Sequence, residues 1–141
     1  MLTRPIARKC LVPAALVLGL VGVYVAPRAF ARVVVNTIDT VATVADNGRR
    51  IVLAGPIAND QTEWDDLRVT ITQRSTGAVA EGRARILGTT SVQQWVVEAA
   101  VQGSATFEEG PATAVAVATS TLQGQVTDAH QWLVQVTLVA E

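Results

Sequence analysis

In the stretch Leu67-Arg68-Val69-Thr70-Ile71-Thr72, apolar and polar side chains alternate at every step. A period of two places alternate residues on opposite faces of an extended chain, so this segment can bury one face only as a β-strand. The same signature recurs through the rest of the chain. Ala78 to Leu87 carries Glu81, Arg83 and Arg85 on one face, and Val92 to Val101 puts Trp95, Val97, Ala99 and Val101 on the other. Ala112 to Leu122 follows, and in His130 to Val139 the residues Trp132, Val134, Val136 and Leu138 alternate with Leu133, Gln135 and Thr137.

Turn residues punctuate these runs. Val33 to Ala45 ends at Asp46-Asn47-Gly48, and Asn-Gly between two apolar runs is a strong hairpin signal. Arg49 to Ala54 is expected to close at Gly55-Pro56, and Ser75-Thr76-Gly77 and Gly110-Pro111 mark further breaks. No amphipathic helical pattern interrupts the series. About seven short strands in roughly 110 residues predict an all-β domain, an immunoglobulin-like antiparallel β-sandwich, with a small barrel as the alternative. Trp95 and Trp132 have inward parity and are expected to anchor the core, each indole N–H meeting a backbone carbonyl.

A different pattern governs residues 1–32. Arg4, Arg8 and Lys9 precede Leu11 to Ala26, sixteen residues without a charge. As a helix this run spans about 24 Å, slightly less than the ~30 Å hydrocarbon core of a bilayer. The basic cluster predicts an N-terminus in the bacterial cytoplasm and a domain, residues 33–141, in the periplasm or cell exterior. Pro27 ends the run, and Ala29-Phe30-Ala31 is an A-x-A sequence that a signal peptidase could cut before Arg32. A retained single-pass anchor is the expectation, and cleavage at Ala31 with secretion is the alternative. Within the helix, Gly19 and Gly22 allow close approach of a neighbouring helix, and Tyr24 suits the outer interface.

Charge narrows the partners. Residues 32–141 hold seven arginines against twelve acids, a net of −5, which repels phosphate backbones and argues against nucleic acid. The single cysteine, Cys10, precedes the apolar run, so a translocated domain would have no disulfide.

Catalytic and metal signatures are weak. His130, beside Asp128, reads as a surface pair near a turn, and no Gly-x-Ser-x-Gly elbow exists. Asp60, Glu63, Asp65 and Asp66 concentrate oxygen ligands, but their spacing matches no EF-hand, so a solvated loop is expected there. One histidine and no extracytoplasmic cysteine cannot supply a transition-metal shell. Glu108-Glu109 reads as a hydrated turn. No cofactor and no enzymatic activity are expected. Trp64, between Glu63 and Asp65, either folds over a sheet end or is presented to a partner, with Asp60, Glu63, Asp65 and Asp66 as its acidic surround.

The stretches RVTITQRSTGAVAEGRAR, FEEGPATA and VTDAHQW resemble a group of small secreted proteins of high-GC bacteria to which no function is assigned. The resemblance covers most of residues 50–137 and implies an extracytoplasmic compartment and a β fold, but no activity. Members of the group carry cysteines in the domain, which this chain lacks, so no functional residue is carried over. The function expected is a non-catalytic interaction module, an accessory subunit of a larger membrane complex of respiratory or photosynthetic type. The alternative is a freely secreted ligand- or carbohydrate-binding domain.

Overall fold

The computed structural model describes residues 33–59 and 62–141. The helix expected over Leu11–Ala26, with Gly19, Gly22 and Tyr24, and the cleavage candidates Ala29 and Ala31 lie outside the described residues. Among the described residues, no helix is long and apolar enough to cross a membrane.

Eight strands form: β1 (Val33–Asn36), β2 (Val41–Ala45), β3 (Arg50–Asn59), β4 (Trp64–Gln73), β5 (Ala78–Leu87), β6 (Gln93–Gln102), β7 (Gly110–Leu122) and β8 (Gln125–Ala140). The β2–β3 hairpin turns on Asp46, Asn47 and Gly48, all at positive φ. That is the backbone the Asn-Gly signal demands.

The expected sandwich does not form. The strands join in the order β3-β2-β8-β7-β4-β5-β6, and β6 pairs back onto β3 over Arg50–Ile57, closing a seven-strand barrel. A ring of alternating strand directions with an odd number of members must contain one parallel contact. Here it is β2 against β8, Val41 facing Thr137 through Val44 facing Ala140. The remaining strand, β1, continues the β2 side of the wall against the upper part of β3. A period of two reports which face of a strand is buried and is the same in a sandwich and in a barrel; only the pairing distinguishes them.

The narrow interior explains its composition. β4 supplies Leu67, Val69 and Ile71, and its two neighbours in the sheet supply Ala112, Ala114, Ala116 and Ala118 from β7 with Ala78 and Ala80 from β5, all buried. Small barrels fill their interiors by matching large side chains with small ones.

Gly55 and Pro56 do not end β3, which runs on to Asn59. A Cβ at Gly55 would lie 2.2 Å from the Thr37 carbonyl oxygen and 2.8 Å from the Trp95 ring, so the glycine admits a close approach. Trp95 is buried as expected, but among the described residues its indole N–H has no hydrogen-bond partner, and neither does that of the half-buried Trp132. Apolar packing sets the Trp95 ring against Gly55 and leaves its donor without a carbonyl.

The two ends of the barrel differ. At one, Phe107 is buried, and the Gln73 amide clamps the loop above it, donating to the Glu108 carbonyl (2.9 Å) and accepting from the Glu108 N–H (2.9 Å). The other end carries Asn59, Trp64, Gly88 and the β7–β8 turn, and the sequence-predicted site falls there.

Candidate functional site

The acidic surround of Trp64 is divided by the pleat of β4. Glu63, Asp65, Leu67, Val69, Ile71 and Gln73 share the inward face, and Trp64, Asp66 and Arg68 share the outward one. Glu63 and Asp65 are therefore buried polar groups and not a solvated loop: Asp65 occupies the inward parity of a strand that begins earlier than its apolar run, and Glu63, immediately before that strand, keeps the same parity. Asp66 is exposed, and Asp60 lies outside the described residues.

Inside, Asp65 accepts hydrogen bonds from Asn59 Nδ2 at 2.8 Å and from Ser120 Oγ at 2.6 Å. Thr127 donates through Oγ1 to Glu63. Gly88 roofs this group: a Cβ there would lie 2.3 Å from Asn59 Nδ2 and 2.9 Å from Asp65 Oδ2. A hydroxyl donating to a carboxylate has the geometry of an activated nucleophile, but Ser120 and Asp65 are both fully buried, so no substrate carbonyl can approach the pair. Buried carboxylates are tolerated only when hydrogen-bonded, and this network ties β4 to β3 and β7 at the barrel mouth. Among the described residues, no group of three or more His, Cys, Asp or Glu could hold a metal ion.

Outside, Trp64 is 44% exposed and does not fold over the sheet end. The Arg85 guanidinium carbon lies 4.9 Å from the centre of its ring, a cation–π contact that fixes the indole against β5. Arg85 Nε also faces Asp66 Oδ1 at 3.7 Å. Further along, Arg68 Nη2 reaches both carboxylate oxygens of Glu81, at 3.0 and 3.1 Å. Arg83 stands opposite Arg68 and has no ion pair among the described residues. Asp66, Arg68, Arg83 and Arg85, with Val117 and Thr119 of β7, line an open groove of about 620 Å³. Among the described residues, the exposed charge on this outer face is three guanidinium groups against the carboxylates of Asp66 and Glu81.

The arginines escaped the sequence-level site because β4 and β5 alternate independently of one another; only the register brings Arg68, Arg83 and Arg85 to one face. His130 points inward, its ring centre 5.7 Å from that of Trp132. Glu108 and Glu109 are exposed, and Glu109 Oε1 accepts the Ala140 N–H at 3.0 Å.

No family model matches the chain, and no curated protein matches it in sequence.

Proposed function

We propose that the barrel is a non-catalytic interaction module that engages a partner protein through the outer face of β4 and β5. In this proposal residues 1–32 hold it at the membrane as an accessory single-pass subunit, with the domain on the extracytoplasmic side. The observation that carries the proposal is Trp64: a large aromatic ring 44% exposed to water, with the Arg85 guanidinium over its face. Exposed tryptophan and arginine are the side chains most enriched at binding hot spots. With Glu63 and Asp65 turned inward, the charge left on this face favours an acidic partner surface, whereas four exposed acids around Trp64 would favour a basic one.

The test is site-specific photo-crosslinking in the producing cells. A photoreactive side chain at position 64 should give discrete adducts, and the same group at Val41, on the opposite wall in β2, should not. Absence of adducts at 64, or identical adducts at 41, would overturn the proposal.

The groove beside Trp64 supports a second function, a secreted barrel that binds a small ligand after cleavage at Ala31. Intact mass of the native protein separates the two: a mature chain starting at Arg32 favours secretion, and the full-length chain favours the anchored subunit.

A further inference from the structure

The loops at one end of the barrel are charged, and those at the other are not. At the end that holds Phe107, the connections between strands carry Asp46, Arg49, Arg74, Glu108 and Glu109, all exposed. At the opposite end the described connections are residues 62–63, 88–92 and 123–124, and none of these residues is an exposed acid or base. Apolar side chains reach water there instead: Leu87 is 45% exposed, Val92 62%, Leu122 43% and Val126 65%. Strand register makes the patch continuous. Leu87 stands opposite Trp64, Trp64 opposite Thr121, and Thr121 opposite Val126, one row across β5, β4, β7 and β8. Single exposed apolar residues are ordinary on a surface, whereas a contiguous patch marks contact with a protein or a membrane.

The chain enters the barrel at this same end. Val33, the first residue of β1, pairs with Asn59, the last residue of β3, and Asn59 in turn holds Asp65 at the barrel mouth. Residues 27–32 alone separate Val33 from Ala26, where the uncharged run that starts at Leu11 ends. Even fully extended, the chain from Ala26 to Val33 covers at most about 25 Å. With that run in a bilayer, the apolar end of the barrel is the end held close to the lipid, and the charged end points away.

We propose that the barrel rests end-on against the lipid surface, with Leu87, Val92, Leu122 and Val126 set into the headgroup layer. The proposal rests on the reading of residues 1–32 as a retained anchor. Interfacial contacts of this kind bury apolar side chains about 5–10 Å into the boundary between headgroups and acyl chains. A short tether makes the contact intramolecular, so a few side chains are enough to hold it. Because the described connections at this end carry no exposed charge, the contact is apolar and salt should change it little. An end-on contact leaves the β4–β5 wall and its arginines open to the protein partner proposed above, with Trp64 at the boundary between the two surfaces.

Fluorescence quenching of the full chain in vesicles of phosphatidylcholine and phosphatidylglycerol tests the contact. Cys10→Ser removes the single cysteine, and a fluorophore is then attached at Val92→Cys, at Val126→Cys or, in the exposed β4–β5 turn of the opposite end, at Ser75→Cys. Nitroxide-bearing lipids should quench the labels at 92 and 126 and spare the one at 75. Aqueous iodide should do the reverse, at low and high salt alike. Val92→Asp together with Val126→Asp should abolish lipid quenching of a label at Leu122→Cys and leave the circular dichroism unchanged, since both side chains are exposed. Flotation with the vesicles after a carbonate wash reads the anchor separately. A chain that floats while iodide reaches 92 and 126 keeps the anchor and overturns the lipid contact. Labels shielded from iodide yet untouched by the lipid nitroxides put protein over the patch and overturn it too. A chain that does not float overturns the anchor and the contact with it.

Discussion

Arg68 and Arg83 stand directly opposite one another across the β4–β5 pair, two like charges on the outer face of the same sheet. Arg68 is turned toward Glu81, two pairs further along, which leaves Arg83 without a counter-ion among the described residues. Like charges at directly opposed positions destabilise a sheet by roughly 0.2–1 kcal/mol. Arg83→Gln is therefore expected to raise stability by about that amount at low salt, with the gain shrinking as salt screens the exposed pair. Urea unfolding at two ionic strengths measures it. If the groove binds an acidic partner, the same substitution should weaken that association while it stabilises the fold.

The tryptophans of β4 and β6 should respond oppositely to truncation. Trp95→Ala empties a fully packed interior and is expected to cost roughly 3–5 kcal/mol, a large part of the 5–15 kcal/mol that holds a domain of this kind together. Trp64→Ala removes a half-exposed ring and one cation–π contact worth about 0.5–1 kcal/mol at such a site. Its larger effect should be on partner binding, at about 2 kcal/mol or more. Thermal unfolding of both variants, beside the amount of partner that co-purifies with the second, separates the roles.

Gly88→Ala should destabilise the barrel mouth by about 1–3 kcal/mol, as overpacking of a filled site does. Its Cβ would collide with the Asn59 side chain, which cannot withdraw without releasing Asp65. In an Asn59→Ala background the same glycine substitution should cost distinctly less. A double-mutant cycle with no coupling between the two positions would mean that the roof moves independently of the network.

Asp65→Ala should be more damaging than Ser120→Ala. Removing the hydroxyl leaves Asp65 with the Asn59 amide as its remaining donor, and a lost hydrogen bond to a buried charged group costs about 1.5–3 kcal/mol. Removing the carboxylate strands Ser120 and Asn59 together in a dry interior. Denaturant midpoints of the two variants and of the double variant give the order, and equal losses would argue against Asp65 as the centre of the network.

Much of the strand placement was legible from alternation. β5 coincides with the expected Ala78 to Leu87, and β6 and β7 begin within two residues of their expected starts. β4 and β8 are longer than their apolar runs. Trp64-Asp65-Asp66 and Gln125 to Ala129 are polar enough to read as loop, yet strand pairing extends through them. In β4 that extension carries Asp65 inside, with Glu63 buried immediately before the strand. Val33 to Ala45 divides into β1 and β2, because Ile38 turns into the core between them.

Period-two patterning by itself determined that residues after 32 form strands, which face of each strand is buried, and where the Asn47-Gly48 turn falls. These are local properties, set by the geometry of an extended backbone and the φ values a turn requires. Tertiary structure decided which strands are neighbours. The closure of β3 on β6, the parallel seam of β2 on β8 and the Arg68–Arg83 face all depend on pairings between residues up to about a hundred positions apart. Backbone hydrogen bonding is nearly indifferent to side-chain identity, so no single segment encodes its partner. That choice emerges only when every inward face competes for the same narrow interior.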